Sequence, residues 1–333
     1  MPTRSGFAAL IGRPNVGKST LLNALAGEKL AIISPKPQTT RTRILGVVTK
    51  PEGQIAFVDT PGVHQAKGAL NTHMVEVALN AASECDVVLF LVEAEGLEEG
   101  KAPEIGPGNR FVMERLKAIN KPTILIVTKI DLVKKHLLLP LIDLYRKHFS
   151  FAEVLPVSAR AGDGLQLVFE RALATMPEAP NMFPEDMLTD QAERVLVAEY
   201  VREQVLRHTR QEIPYSAAVI VELFDESDRF TPPPERPQQK KQKKGKQQEQ
   251  RPPKRHSGLV RIHANIYVER DSQKAIIIGK RGQMLKTIGT DARKSIERLL
   301  ATNVFLSLQV KVEERWSERH DTLRRMGYSM VRE

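Results

Sequence analysis

One cysteine, one tryptophan and no apolar run long enough to cross a bilayer set the first limits on this 333-residue chain. The lone Cys85 excludes an intramolecular disulfide framework. Beside the apolar run that follows it, Cys85 is expected to act as a small buried hydrophobe in a reducing compartment. The most apolar stretches, such as VVLFLV at 87–92, have the length of strands. Residues 1–10 lack the long apolar core of a signal peptide, so the expected location is cytoplasmic.

The excess of positive charge is unevenly placed. Residues 1–180 carry +3 (21 basic, 18 acidic) and 181–231 carry −6 (5 basic, 11 acidic). Residues 232–257 carry +7 (9 basic, 2 acidic) and 258–333 carry +6 (15 basic, 9 acidic). A nucleic-acid partner is therefore sought in the second half of the chain.

Short apolar runs (GFAALIG, QIAFVD, DVVLFLV, PTILIVT, AEVLPVS) alternate with helical stretches through residues 7–175. That order predicts an α/β domain, a mostly parallel sheet with helices on both faces. The proline-rich stretch at 176–186 has no periodic pattern and places a linker there. The expected organisation is an α/β domain over 1–178, a linker over 179–189 and an α+β domain over 190–333.

The second half reads helix, strand, strand, helix, helix, strand. Residues 190–209 are amphipathic, with Ala192, Val195, Leu196, Tyr200 and Val205 on the apolar side. Alternating apolar positions at 217–223, 260–268 and 304–312 predict strands facing a helical layer. Between the first two lies a Pro/Gln/Lys-rich insertion, 232–257, too polar to bury a core and expected to be a disordered, expanded hairpin loop.

Four motifs carry chemistry. GRPNVGKS, from Gly12 to Ser19, matches the phosphate-loop pattern between a strand and a helix. Its backbone N–H groups surround the β-phosphate at a helix N-terminus, Lys18 reaches the β/γ-oxygens, and Ser19 offers a hydroxyl to Mg²⁺. DTPG ends the next apolar run: Asp59 can hold Mg²⁺ through water, and Gly62 can give a backbone N–H to the γ-phosphate. In TKID, Asp131 can accept both donors of the guanine edge, a pair adenine does not present, and Lys129 packs its stem over the base. In VSAR, the Ala159 N–H is placed to bind guanine O6.

Together with QTTRTR, these motifs resemble the ordered set of translation-factor-class bacterial GTPases. One departure stands out: Thr128 occupies a position that is usually Asn and that ties the base motif to the phosphate loop. A threonine hydroxyl replaces part of that tie. The resemblance implies a loop at 35–43 that senses the γ-phosphate through a Mg²⁺-binding threonine, Thr40 first and Thr39 second. Val63 follows DTPG where small signalling GTPases carry a water-orienting Gln, so slow intrinsic hydrolysis is expected. Asn15 resembles a residue that in some relatives helps hold a potassium ion.

AIIIGKRGQMLKTIG at 275–289 resembles the KH domain (type II), whose G-x-x-G turn clamps single-stranded RNA. Gly279 and Gly282 allow close approach, Lys280 and Arg281 supply charge, and the flanking Ile276, Ile277, Ile278, Met284, Leu285 and Ile288 give core and groove floor. Arg293, Lys294 and Arg298 are expected as exposed helix charges, and Trp316 as packing.

A GTPase domain joined to this KH domain resembles the Era family of bacterial GTPases over almost the whole chain, the 232–257 insertion excepted. The family resemblance implies GTP/GDP binding with Mg²⁺, binding to the 3′ end of 16S ribosomal RNA, and a role in 30S subunit assembly. It also implies a monomer, loosely associated with the inner membrane. Its nucleotide contacts would be Gly12, Asn15, Val16, Gly17, Lys18, Ser19, Thr20, Asp59, Gly62, Thr128, Lys129, Asp131, Ser158 and Ala159, with Ser19, Thr40 and Asp59 at the metal and Lys18, Thr40 and Gly62 in catalysis. An RNA-binding module with a non-hydrolysing nucleotide domain is the alternative, and intact Lys18, Ser19, Asp59 and Asp131 argue against it. A GTPase of tRNA modification or membrane transport would need further cysteines or a membrane segment.

Overall fold

The computed structural model describes residues 3–64, 68–209, 213–230 and 256–328. The chain divides into two units, residues 1–192 with 315–333, and residues 193–314.

In the first unit the elements run β1 (Arg4–Gly12), α1 (Lys18–Ala26), β2 (Ile44–Lys50), β3 (Gly53–Asp59), α2 (Ala69–Glu84) and β4 (Val87–Glu93). They continue with α3 (Pro107–Ile119), β5 (Thr123–Thr128), α4 (Leu138–His148), β6 (Glu153–Pro156) and α5 (Leu165–Ala174). The sheet order is β2-β3-β1-β4-β5-β6, with β2 antiparallel to β3 and every other pair parallel.

Strand side chains alternate between two cores. Ala9, Ile11, Val88, Phe90, Leu125 and Val127 face α2, α3 and α4. Ala8, Leu10, Leu89, Leu91, Ile124 and Ile126 face α1 and α5. Burial on both faces explains why these strands read as continuous apolar runs. Cys85 lies in the first core, and burial pushes its thiol up to about 12, which keeps it unreactive.

The sequence reading omitted β2. Its short apolar run, Ile44 to Val48, follows a polar loop directly and pairs with β3 along Ile44↔Asp59 to Lys50↔Gly53. The expected linker 179–189 is laid onto the first unit. Ser5 Oγ donates to the Pro180 carbonyl at 2.6 Å, and the Gln54 Oε1 accepts from the Met182 and Phe183 amides, each at 2.9 Å. The Val47 amide bonds the Leu188 carbonyl at 2.8 Å. Residues 179–192 thus pack as part of this unit, as do 315–328, so both boundaries differ from those expected. Prolines break helices without preventing an extended segment from docking through its remaining amides.

The second unit holds α6 (Glu193–His208), α7 (Ile213–Ser216), β7 (Ala218–Asp228), β8 (His256–Val268), α8 (Asp271–Ile278), α9 (Gln283–Leu300) and β9 (Thr302–Val312). The sheet order is β7-β8-β9, antiparallel then parallel. Val260, Ile262, Ala264, Ile266 and Val268 are buried, as are Leu196, Tyr200 and Val205 of α6 and Ile288, Ala292 and Ile296 of α9. Val195 departs from its expected place on the apolar face of α6: it is 43% exposed, while Arg202, Glu203 and Gln204 are buried. The strands flanking the insertion pair antiparallel, as a hairpin requires; residues 231–255 lie outside the described residues, and so does most of the disorder expected of 232–257. After β9 a last helix, α10 (His320–Arg325), returns to the first unit. Among the described residues, no helix is long and apolar enough to cross a membrane.

Candidate nucleotide and RNA sites

All four nucleotide motifs leave the carboxyl ends of strands: β1 runs into Gly12, β3 into Asp59, β5 into Thr128, and β6 ends just before Ser158. β1 lies between β3 and β4, so the crevice between diverging connections opens above it. The topology thus gathers segments some 140 residues apart at one edge of the sheet.

The phosphate loop turns through a left-handed Asn15 (φ 65°) and Gly17 (φ 104°) into α1, whose first residue is Lys18. Val16 is buried and fixes the loop from below, while Ser19 and Thr20 remain half-exposed in the first turn of the helix. The free N–H groups of this turn form an anion cradle. Lys18 is 6% exposed, and its Nζ donates to the Gly12 and Arg13 carbonyls at 3.1 and 3.0 Å. Burial lowers its pKa to about 8, against the opposing pull of Asp59. A phosphate beside it would favour the charged form and raise that pKa again.

Three oxygens converge at the carboxyl end of β3. Ser19 Oγ donates to Asp59 Oδ2 at 2.6 Å, Thr40 Oγ1 donates to the same oxygen at 3.2 Å, and the two hydroxyls lie 2.9 Å apart. Asp59 is fully buried, its pKa is raised by desolvation, and its Oδ1 has no hydrogen-bond partner. One carboxylate with an unsatisfied oxygen and two hydroxyls form a hard oxygen donor set that fits Mg²⁺. Of the two candidate threonines, Thr40 points here, whereas Thr39 Oγ1 donates to the Lys36 carbonyl at 2.7 Å.

Gly62 packs directly on the phosphate loop: a Cβ there would stand 2.6 Å from the ring and the nitrogen of Pro14. Only glycine lets the DTPG backbone approach the phosphate site so closely. Val63 is completely buried, and its amide donates to the Gly12 carbonyl at 3.0 Å. Its side chain is core, with no means of orienting water. The Asn15 Nδ2 donates to the Pro35 carbonyl at 2.7 Å, joining the phosphate loop to the loop that carries Thr40.

At the base-reading end, Thr128 is buried and its Oγ1 donates to the Val16 carbonyl at 2.7 Å. The expected replacement for the missing Asn tie is in place. Asp131 is exposed, and Ser158 Oγ donates to its Oδ1 at 2.6 Å, which orients the carboxylate. Lys129 adopts a left-handed backbone (φ 58°), and its Nζ bridges Glu93 and Glu95 at 2.7 and 2.6 Å. These two anchors were not legible in the sequence. Ala159 sits half-buried beside Ser158.

In the second unit, α8 ends and α9 begins at the G-x-x-G turn. Gly279 has φ 71° and a Cβ there would meet the Met284 Cβ at 2.6 Å; Arg281 and Gly282 follow in the left-handed region. Lys280 and Arg281 are exposed. Ile277 and Ile288 form core, while Ile276 is 50% exposed on the neighbouring helical surface. Arg293 and Lys294 are exposed on α9 and pair with Glu297 and Asp291 on the same helix; Arg298 is exposed as well. Trp316 is completely buried and packs in the first unit.

Comparison with known proteins identifies both domains. Residues 7–129 match the family described as 50S ribosome-binding GTPase, and residues 247–317 match the KH domain. The chain is 46% identical over 328 residues to GTPase Era of Geobacter metallireducens, covering 98% of this chain and 99% of the relative. The chain belongs to the Era family of GTPases. GTPase Era of Lacticaseibacillus paracasei is 43% identical over 98% of this chain and 97% of its own length. A crystal structure of Aquifex aeolicus Era bound to GDP and AlF₄⁻ superposes with a TM-score of 0.83 at 38% identity, covering 98% of this chain and all of that one. A second, of Era in complex with MgGDPNP and nucleotides 1506–1542 of 16S ribosomal RNA, gives the same TM-score and identity over 98% of this chain and 99% of its own. The fold is that of a P-loop GTPase domain followed by a KH domain, and the chain is a GTPase enzyme.

Proposed function

We propose that this GTPase uses its nucleotide state to govern RNA engagement, binding the 3′ end of 16S ribosomal RNA during assembly and maturation of the 30S subunit. The observation that carries the reading is the near full-length likeness to an Era captured with both MgGDPNP and that RNA segment. The G-x-x-G turn, open on exposed Lys280 and Arg281, supplies a matching clamp.

In the reaction, water attacks the γ-phosphorus of GTP; the bond to the β,γ-bridging oxygen breaks, giving GDP and phosphate. Gly12, Asn15, Val16, Gly17, Lys18, Ser19 and Thr20 hold the phosphates. Ser19, Thr40 and Asp59 would hold Mg²⁺, which would supply positive charge beside the phosphates. Lys18 neutralises charge across the breaking bond, and the Gly62 N–H steadies the γ-phosphoryl group. Asp131, with Lys129, Ser158 and Ala159, selects guanine, and Thr128 couples that choice to the phosphate loop.

Buried Val63 leaves water positioning to backbone groups or a partner, so unaided turnover is slow. Potassium held near Asn15 would supply the missing positive charge. A monomer in the cytoplasm, touching the inner membrane peripherally through its basic C-terminal half, completes the reading. The test is single-turnover hydrolysis. Lys18→Ala and Asp59→Asn should each lower the rate at least a hundredfold, and potassium in place of sodium should raise wild-type turnover. A wild-type chain that binds GTP without cleaving it would instead favour the RNA-binding module alone.

A further inference from the structure

Arg41 follows Thr40 in the loop that closes over the Asp59 oxygens, yet its side chain turns away from that site and is only 2% exposed. Its Nη1 donates to Tyr328 Oη at 3.2 Å, and its guanidinium lies over the Trp316 ring, 5.7 Å from the centroid. Trp316, completely buried, stacks on Tyr328 with centroids 5.9 Å apart and planes 15° apart. Both aromatics belong to the C-terminal segment that packs in the first unit. The same segment reaches the start of α2: the Leu70 amide donates to the Ser317 carbonyl at 3.2 Å, and His73 of α2 is 2% exposed with His320 facing it electrostatically.

We infer that Arg41 is a positioning residue for the triphosphate state, held by a clasp built from Trp316 and Tyr328. A desolvated guanidinium over an indole, with a hydroxyl accepting from its edge, is a strong and directional contact. It fixes the main chain one residue from Thr40. Thr40 in turn places its hydroxyl on the metal site only while its loop is ordered. The clasp therefore lowers the cost of ordering that loop around a triphosphate. GDP, which does not recruit Thr40, gains little from it. The segment that carries both aromatics follows β9 directly in the chain. This inference rests on the GTPase reading above and adds a residue whose role is transmitted through Thr40.

The experiment compares full-length wild type, Arg41→Ala and Tyr328→Phe for equilibrium binding of GDP and of a non-hydrolysable GTP analogue with Mg²⁺. Trp316 is the sole tryptophan and gives a direct fluorescence readout. Arg41→Ala should weaken the GTP analogue about tenfold while leaving GDP within about twofold. It should raise the Mg²⁺ midpoint in the analogue complex only, and abolish the fluorescence difference between the two nucleotide states. Tyr328→Phe, which keeps the ring stack, should shift the same quantities in the same direction by a smaller factor. Equal losses for both nucleotides, or none, in both variants would overturn the inference. Absence of any GTP-analogue binding by wild type would instead overturn the GTPase reading.

Discussion

The Thr128 hydroxyl donates to the Val16 carbonyl at 2.7 Å, tying the strand that reads the base to the loop that holds the phosphates. Residues 112 positions apart in sequence are thereby locked into one site. Thr128→Val keeps the shape of the side chain and leaves a buried carbonyl short of its donor. Affinity for GDP and GTP should fall about tenfold together, since such a loss costs roughly 1–3 kcal/mol. Preference for guanine over adenine, measured by competition, should persist.

Asp131 sets that preference, with Ser158 Oγ 2.6 Å from its Oδ1. Asp131→Asn replaces one acceptor by a donor, which clashes with the guanine N2 amino group and suits the carbonyl of xanthine. GTP binding should drop by at least about a hundredfold, while xanthosine triphosphate binding rises. Nucleotide competition measures both changes.

Gly62 stands where a Cβ would meet Pro14 at 2.6 Å. Gly62→Ala must push the DTPG backbone off the phosphate loop and misplace the N–H that serves the γ-phosphate. Single-turnover hydrolysis should fall about a hundredfold, the usual loss for one such donor. GDP affinity should hardly change. A parallel loss of GDP binding would mean the loop itself had been disrupted.

At the RNA clamp, Gly279→Asp is a poor probe taken alone, because φ 71° and the nearby Met284 Cβ make it a folding defect as well. Lys280→Ala with Arg281→Ala removes two exposed charges and leaves the turn intact. RNA affinity should fall, and the slope of log affinity against log salt should flatten by about 1.4, two single-strand phosphate contacts.

His73 is buried, and desolvation lowers its pKa, with Glu76 opposing and His320 reinforcing the shift. The unfolded chain therefore binds a proton below about pH 6.5 that the folded chain resists. This contribution costs nothing above that pH and erodes stability as pH falls through it. The urea midpoint should drop between pH 7.5 and 5.5, and His73→Gln should reduce that drop.

The motifs that carry the chemistry were legible because each couples a local pattern to the end of an element: Gly12–Ser19, Asp59–Gly62 and Thr128–Asp131 stand at strand ends, and Gly279–Gly282 stands between two helices. The choice of Thr40 over Thr39 needed coordinates, since both hydroxyls share one loop. β2 was missed although Ile44, Leu45, Val47 and Val48 give it a short apolar run; its antiparallel place at the sheet edge shows only in the pairing with β3. The docking of Trp316 and Tyr328 onto Arg41 spans some 275–287 residues, a distance no local periodicity can register. Likewise, the Glu93 and Glu95 anchors of Lys129 come from the neighbouring strand and the turn that follows it.

The most direct test of nucleotide-governed RNA engagement is the affinity of the full chain for an RNA copying the 3′ end of 16S ribosomal RNA, measured with a GTP analogue, with GDP and with no nucleotide. The analogue complex should bind at least about five times more tightly than the GDP complex, the lower end of ordinary coupling between sites. Equal affinities in all three states would contradict the account.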